Sequence, residues 1–465
     1  MLFNSHEFIL LFLPAALFCY FAMNRISRKA GKWTMLLLSV AFVAFQGVYH
    51  AVVAVLSTLI NFGLGKLIQH ASLPKQKKRI LAVGIAANVA GLTVFKYPTA
   101  FCGTWMLPLG ISFYTFQQIA FLVDCYQGTK MGFQDHAVFT MFFPKIVQGP
   151  IPYANELIPA LSDHSRSRFN FENFSKGIHL FAIGLAKKVM IADKFGIFAD
   201  YGFGSISSLT SYEALLTILA YTFQLYFDFS GCSDMAVGIA RMFNFDLPVN
   251  FNSPYKAKNI SDFWKRWHIT LTRFLTKYIY IPLGGNRKGT VRTYLNILIV
   301  YLVSGIWHGT GVTFLVWGLL HGIATVLYRI FKKQFDAVPS VSQWVLTFVF
   351  VNITWVFFRA DSVDSALALL RQVFVGGWSI QINAALTESL LQPTFISVLS
   401  MLATIDVAVL ICFVLALVTV VATKNSNEKT LLMRTSMGTL IFTYILLVIS
   451  ILSLSGVSSF LYTNF

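Results

Sequence analysis

This chain has few charged residues, and that shortage excludes an ordinary water-soluble globular protein. Only 12% of its 465 residues are charged, whereas 56% are hydrophobic and the mean hydropathy is +0.67. Soluble domains carry about 25% charged residues. A composition this apolar indicates a polytopic membrane protein.

Cysteine is also scarce, and its spacing argues against a disulfide framework or a zinc site. Both kinds of site need paired, closely spaced cysteines. Here the residues are scattered, and most of them lie in apolar sequence. We therefore interpret them as small core residues and expect no metal. The five cysteines are Cys19, Cys102, Cys125, Cys232 and Cys412.

Acidic residues are few beside basic ones, with 19 Asp and Glu against 36 Lys and Arg, a net charge of +17. The basic residues gather in short loops between apolar windows, and such loops stay cytoplasmic. Their order predicts that both termini lie outside. Because the charge is divided among loops, nucleic-acid binding is the weaker interpretation. The basic loops are 25–32, 75–79, 287–292, 329–333 and 424–434.

Apolar windows of membrane-spanning length recur along the chain. A helix needs about 20 apolar residues to cross the hydrocarbon layer. The windows predict an all-α polytopic membrane protein, with about a dozen transmembrane or re-entrant helices around a central polar cavity, in one membrane-embedded domain over 1–465. The windows are 7–23, 33–48, 51–69, 80–97, 105–123, 174–192, 212–229, 294–308, 312–328, 342–358, 396–421 and 435–454.

His308 lies in the motif SGIWHG (304–309), inside an apolar stretch. Ionisable residues within a membrane are costly and mark function. As a helix, residues 294–308 rise about 22 Å, less than the roughly 30 Å hydrocarbon thickness. We therefore expect His308 at depth, below an outward-facing depression or on a path to the cytoplasm. A histidine hydrogen-bonded within the bundle is the alternative.

The segment 251–292 is basic and aromatic, with prolines and paired glycines as punctuation. We predict a helical run inside it, capped by Asn259 or Ser261. An interfacial belt would explain its tryptophans and basic residues without any chemistry. His268 has no special value as an anchor, so it is a candidate functional residue, with a purely structural role left equally open.

Four prolines interrupt the segment 136–160 and forbid a continuous helix. Non-helical backbone at membrane depth is tolerated only where protein buries it or a cavity wets it. Lys145 and Gln148 are therefore candidates for lining a polar cavity. A surface loop is the alternative.

Several motifs together resemble the membrane-bound O-acyltransferase (MBOAT) family, in its bacterial polysaccharide and peptidoglycan O-acetyltransferase branch, which includes alginate O-acetylation. The matches lie within about 1–360, and the helices of 361–465 carry none. LGGNRKG favours this branch over the teichoic acid D-alanyl transferases. The principal motifs are FWKRWHITLTRFLTKYIYIPLGGNRKG (263–289), SGIWHG (304–309), WGLLHG (317–322), FPKIVQGPI (143–151) and FDFSGCSDMAVGIARMFNF (227–245).

The resemblance implies an O-acetyltransferase of the bacterial inner membrane. It would pass an acetyl group from cytoplasmic acetyl-CoA toward a periplasmic acetyltransferase partner and a polysaccharide hydroxyl, with no cofactor bound. His308 matches the signature histidine and His268 the second active-site histidine, with His321 as a third candidate. A base is needed for the hydroxyl proton, and we assign that role to His308, with His268 orienting a reactant.

Other candidates and other functions accompany this hypothesis. Donor or cavity candidates are Lys145, Gln148, Arg266 and Trp307. A transporter or flippase in contact with membrane lipid, a D-alanyl or other acyl-transfer subunit, and an assembly subunit are the alternatives. A metal held by the three histidines is conceivable, but no ligand spacing demands one.

Overall fold

In the computed structural model, the described residues 1–97, 106–391, 404–433, 436–454 and 460–461 contain helices and no strand. Six helices are long and apolar enough to cross a membrane, and two shorter apolar helices accompany them. The all-α polytopic prediction is therefore confirmed, with six helices of full spanning length. The helices are α1 Glu7–Ile26, α2 Arg28–Ala44, α3 Val48–His70, α4 Pro74–Lys96, α5 Ile111–Tyr126, α6 Phe133–Met141, α7 Phe143–Ile146, α8 Ala154–Ser162, α9 Phe171–Ala186, α10 Asp193–Gly204, α11 Ser211–Met242, α12 Ile260–Arg266, α13 Ile269–Leu275, α14 Thr290–His308, α15 Val312–Ile330, α16 Lys332–Asp336, α17 Ser340–Arg359, α18 Val363–Val375, α19 Ala384–Leu391, α20 Ile405–Val421, α21 Ser426–Leu431 and α22 Met437–Leu452.

Some predicted windows differ from the helices that contain them. Windows 33–48 and 105–123 belong to α2 and α5, which have 17 and 16 residues. Window 212–229 is part of α11, a helix of 32 residues. Apolar runs do not mark helix ends, because polar residues continue a helix equally well. Cys102 and residues 396–403 lie outside the described residues.

The chain forms two compact units that alternate along the sequence. The first comprises Met1–Gly184, Cys232–Pro248 and Thr430–Phe465, and the second comprises Leu185–Gly231 and Val249–Lys429. Each unit contains three of the six full-length spans. The single membrane-embedded domain stays a prediction.

Phenylalanine rings hold the amino-terminal helices of the first unit together. Phe42 of α2 lies 5.8 Å from Phe8 of α1 and 5.6 Å from Phe143 of α7, measured between ring centroids. All three rings are fully buried. Pairs at this separation in edge or tilted geometry add to the hydrophobic stabilisation. This packing anchors the proline-interrupted segment that follows α6.

In the second unit, α14 and α15 form a tight antiparallel hairpin. A β carbon on Gly305 would lie 2.5 Å from the carbonyl oxygen of Phe314, and one on Gly318 would lie 2.5 Å from that of Tyr301. Glycine permits this backbone approach, as in membrane helix pairs with small residues at four-residue spacing. The crossing therefore brings the motifs SGIWHG and WGLLHG side by side.

The helix that carries His308 is longer than its apolar window. It begins at Thr290, after Gly289 with a φ of 84°, and contains 19 residues. Its length is about 28 Å, so the expected rise of 22 Å was too short. The polar residues of its first turn were excluded by a window chosen for hydropathy.

Candidate active site

His268 lies at a break between two short helices. The sequence predicted one helical run here, but α12 ends at Arg266 and α13 begins at Ile269, with His268 in the left-handed region at φ 43°. The carbonyl oxygen of Asn250 accepts a 3.0 Å hydrogen bond from the Ile269 amide. The Asn250 side chain accepts a 2.6 Å bond from the Thr270 hydroxyl. A non-glycine residue in this region costs about 1–3 kcal/mol, so the surrounding bonds hold His268 against its backbone preference.

The imidazole of His268 is fully buried among aromatic rings. Its centroid lies 4.7 Å from Phe229, edge to face, and 6.2 Å from Trp307. Neither ring nitrogen has a hydrogen-bond partner in the described part of the chain. Burial lowers the pKa of His268 well below its usual value, and the nearby His308 adds to the effect. The imidazole is therefore neutral at pH 7, with both nitrogens available to a reactant.

His308 is the last residue of α14 and is also buried. Its Nδ1 lies 2.6 Å from the carbonyl oxygen of Ser304, one turn earlier. A carbonyl oxygen only accepts hydrogen bonds, so Nδ1 carries the proton in the neutral ring. The unshared electron pair then belongs to Nε2, which is the atom able to accept a proton from a substrate hydroxyl.

His321 on α15 has the opposite tautomer. The indole Nε1–H of Trp264 donates to Nδ1 of His321 across 3.2 Å. The neutral ring therefore carries its proton on Nε2. That nitrogen is buried and has no partner among the described residues. His321 thus presents a hydrogen-bond donor, whereas His308 presents an acceptor.

Trp317 lies between the two histidines of the hairpin. Its ring centroid is 4.9 Å from that of His308 and 5.1 Å from that of His321. Its indole nitrogen is buried without an acceptor in the described ranges. A buried N–H without an acceptor is expensive and needs an explanation. Two such donors, on Trp317 and His321, thus accompany the proton-accepting His308.

Two further predicted residues differ in their surroundings. Trp307 is buried, with its ring 4.8 Å from His308, and so belongs to the histidine group. Arg266 instead donates to Asp262 within α12 at 2.9 Å and to the carbonyl oxygen of Asn252. Its contacts are those of a helix-surface ion pair. Asn259 caps α12 by accepting from the Asp262 amide, as predicted.

The interfacial-belt interpretation is wrong for two tryptophans of this segment. Trp264 and Trp267 are buried. Trp267 packs 4.9 Å from Trp355, and Trp264 packs 5.8 Å from Trp317. Headgroup anchors would need one exposed polar end. These rings instead line the surroundings of the histidines.

Lys145 and Gln148 belong to the first unit. Both side chains are fully buried, so the surface-loop alternative is wrong. Lys145 Nζ donates to Gln117 Oε1 at 2.5 Å and lies 5.1 Å from the centre of the Phe139 ring. The structure thus brings together His268, His308, His321 and Trp307 in the second unit, whereas Lys145 and Gln148 belong to the first.

A cavity of about 240 Å³ opens beside the partners of two histidines. Trp264 and Ser304 line it, and these residues bond to His321 and His308. Most of the wall is apolar, with Arg329 and threonine hydroxyls as polar exceptions. Ligand pockets commonly combine an apolar wall with a few polar groups. The described residues contain no cluster of three metal-ligating side chains.

Sequence reasoning missed the functional interest of Trp264 and Trp317. The sequence did contain one sign that the two histidine motifs pack together: both have the spacing Gly-x-x-His-Gly, at 305–309 and 318–322, and Trp317 directly precedes the second. That repeat places each histidine three residues after a crossing glycine. The hydrogen bond from Trp264 had no signal, because its partner lies 57 positions away.

The second unit thus contains buried histidines of complementary tautomer, one able to accept a proton and one able to donate a hydrogen bond, in a polytopic helical membrane protein. Residues 131–363 match the MBOAT, membrane-bound O-acyltransferase family. The chain belongs to this family and is an acyltransferase.

The chain is similar to three curated bacterial proteins, two of them over most of its length and one over about half. It is 42% identical to the "Peptidoglycan O-acetyltransferase" of Helicobacter pylori over 418 residues, 80% of this chain and 79% of the relative. It is 35% identical to the "Probable alginate O-acetylase AlgI" of Azotobacter vinelandii, covering 84% and 82%. The "Teichoic acid D-alanyltransferase" of Bacillus subtilis is 26% identical, covering 52% and 66%. The preference for the O-acetylation branch is confirmed.

Proposed function

We propose that this acyltransferase moves an acetyl group from acetyl-CoA to a hydroxyl of a cell-envelope or exported glycan, by way of a periplasmic partner protein. Two relatives of 42% and 35% identity are named for O-acetylation of peptidoglycan and of alginate. The D-alanyl relative is less similar, at 26%. This ranking supports an acetyl group, and the glycan hydroxyl follows from the same names.

The hydrogen bond between His308 and Ser304 carries the proposal. With Nδ1–H donated to the Ser304 carbonyl at 2.6 Å, Nε2 of His308 is the proton acceptor. His308 takes the proton of the attacking hydroxyl as its oxygen bonds to the thioester carbonyl carbon. When the intermediate collapses, the carbon–sulfur bond breaks and the protonated His308 gives its proton to the leaving thiolate.

The negative charge that forms on the carbonyl oxygen needs hydrogen-bond donors. Trp317 Nε1–H and His321 Nε2–H are buried next to His308 without acceptors in the described chain. They are the groups to which we assign this task. These donors are already buried and oriented in the resting enzyme, so no further free energy is spent on placing them during the reaction. Their hydrogen bonds to the oxyanion therefore lower the activation barrier.

His268 is assigned to holding the reacting hydroxyl. Its neutral ring offers one donor and one acceptor, and neither nitrogen is occupied by the described residues. A hydroxyl held by His268 would be presented to His308 in a fixed orientation. Holding the reacting groups together in this way would increase the rate of acyl transfer.

The cavity beside Trp264 and Ser304 is the proposed position of the acetyl thioester. Arg329 lines it, in the basic segment 329–333 that the positive-inside rule assigns to the cytoplasm. A cation at this point would attract the phosphates of acetyl-CoA. The donor would therefore enter from the cytoplasm, with its thioester end beside the histidines.

Purified protein, reconstituted with its acetyl-accepting partner and acetyl-labelled acetyl-CoA, tests the proposal. We expect release of free CoA thiol together with labelled acceptor, and no transfer from a D-alanyl thioester. His308→Ala should lower the rate by about 10²–10⁴-fold, whereas His164→Ala, at an exposed histidine, should leave it unchanged. Movement of donor or lipid across the membrane without thioester cleavage would indicate a transporter instead.

A further inference from the structure

A group of polar side chains in the first unit is buried without complete hydrogen bonding, and none of them takes part in the proposed acyl transfer. They lie on α5, on α6 and in the turn after α7. Native proteins pair the large majority of buried side-chain polar atoms. Four atoms here have no partner in the described part of the chain: Gln117 Nε2, Thr140 Oγ1, Gln148 Nε2 and Gln148 Oε1.

Lys145 stands at the centre of this group. Its ammonium nitrogen donates to Gln117 Oε1 at 2.5 Å and to the carbonyl oxygen of Thr140 at 3.5 Å. Among the described residues, no carboxylate oxygen lies within 4.0 Å of the Lys145 ammonium nitrogen. Burial lowers the pKa of Lys145 well below its usual value, because an ammonium group bound only to neutral acceptors is destabilised in an apolar interior.

Lys145 and Gln148 face the same side of their turn. The Gly149 amide donates to the Lys145 carbonyl at 3.1 Å, so the helical turn continues past α7. Residues three apart on such a turn are neighbours. Gln117 approaches the same ammonium group from α5. The Lys145 ammonium group and the Gln117 amide are therefore in contact, and the three-residue spacing places the buried Gln148 amide on the same face of the turn.

We propose that Lys145, Gln117 and Gln148 form a binding site for a carboxylate ligand, made of residues other than those assigned to acyl transfer. A carboxylate has two oxygens with about four lone-pair positions. It can therefore accept from the Lys145 ammonium and from the amide nitrogens of Gln117 and Gln148 together. Binding would satisfy three groups that the protein leaves incompletely paired.

The charge of the site selects a monoanion. A bound carboxylate would stabilise the ammonium form of Lys145, which supplies one positive charge. Gln117, Thr140 and Gln148 do not ionise, and burial lowers the pKa of the nearby His136 to about 3, so that ring is neutral at pH 7. A phosphate dianion would leave one buried charge uncompensated, which is costly in a low-dielectric interior. Chloride has the right charge, but a single sphere has no second oxygen for the amides. A carboxylate satisfies both requirements.

Equilibrium binding of radiolabelled acetate to the purified full-length protein in detergent tests the site. We expect saturable binding of one acetate per chain, with chloride and inorganic phosphate unable to displace it. Lys145→Met and Gln148→Leu should each weaken binding by about tenfold or more. Lys176→Met, at a surface lysine paired with Glu172, should leave it unchanged.

The Gln148→Leu variant and thermal unfolding with and without acetate provide a second, independent measurement of the site. If Lys145→Met does not fold, Gln148→Leu still reports on the site. Acetate should raise the unfolding temperature of the wild type and of Lys176→Met, and should raise that of Gln148→Leu much less. Competition by glucuronate and by octanoate distinguishes a sugar acid from a fatty acid as the natural source. Displacement by chloride, equal binding by the variants, or no saturable binding would overturn the proposal. His308→Ala should bind acetate normally, so failure of the acyl-transfer proposal is measured separately.

Discussion

The indole N–H of Trp264 donates a 3.2 Å hydrogen bond to Nδ1 of His321. Because Nδ1 is occupied as an acceptor, the proton of the neutral imidazole is held on Nε2. His308 has the reverse arrangement, with Nδ1–H donated to the Ser304 carbonyl. The two histidines of the α14–α15 hairpin are thereby given different chemical roles before any substrate binds.

Replacing Trp264 by Phe should remove the hydrogen bond that keeps the His321 proton on Nε2, so that both neutral tautomers of His321 become populated. We expect kcat to fall by about tenfold, because Nε2–H would be populated only part of the time, with a smaller change in KM for acetyl-CoA. His321→Gln offers a side-chain N–H without tautomers. The Trp264→Phe change should therefore have little additional effect on kcat in the His321→Gln background. Additive losses would contradict the tautomer argument.

Replacing Trp317 by Phe removes a single N–H and keeps an aromatic ring in place. If this group stabilises the oxyanion, kcat should fall by about 10²–10³-fold. The free energy of unfolding should fall little, because the N–H has no acceptor in the described chain. Trp344→Phe is the matched control, since Trp344 Nε1 donates to the Tyr255 carbonyl at 2.8 Å. It should cost about 1 kcal/mol of stability and leave kcat nearly unchanged.

Replacing His268 by Asn should change the pH dependence of stability. Asparagine tolerates the left-handed region and does not titrate. In the wild type, the lowered pKa of His268 means that below its unfolded value near 6.5 the unfolded chain binds a proton that the folded chain excludes. Wild-type stability should therefore be full above pH 6.5 and fall by roughly 1 kcal/mol per pH unit below it.

The test for His268 compares thermal unfolding of the two proteins between pH 5 and pH 8. The difference between them should be constant above about pH 6.5 and should change progressively below it. Parallel curves across the range would show that the pKa of His268 is the same in the folded and unfolded chain, against a lowered pKa.

Replacing Gly305 by Ala should separate α14 from α15. The added β carbon would lie 2.5 Å from the Phe314 carbonyl oxygen, so the helices must move apart, at a cost of about 1–3 kcal/mol. Acyl transfer should fall as well, because both hairpin histidines depend on the crossing. Gly91→Ala in α4 meets nothing within 4 Å and should keep or increase the unfolding temperature. Equal effects of the two changes would argue against close packing at Gly305.

Much of the fold followed from local properties of the chain. Six of the twelve apolar windows fall on the full-length spans. The prolines of 136–160 predicted that no continuous helix covers this segment, and the structure has the short helices α6, α7 and α8 there. The motif SGIWHG identified His308 as a residue of interest before its surroundings were known. Composition and helix-length rules act on consecutive residues, so they could be applied to the sequence directly.

Other features depended on partners that are distant in sequence. The break at His268 relies on Asn250, 18 positions earlier, and a helical pattern over 251–292 contained no sign of it. The sequence could not decide whether Lys145 is buried or lies in a surface loop, because the exposure of a residue depends on which other segments pack around it. Trp264 and Trp267 resembled interfacial anchors for the same reason.

The sequence by itself determined the membrane class, most of the spans and the family motifs, because hydropathy and motif spacing are local. Only the tertiary structure decided which nitrogen of His321 carries the proton, and which buried donors have no acceptor in the described chain. The first property depends on the hydrogen bond from Trp264, 57 positions away in sequence, and that bond forms only when the helices pack.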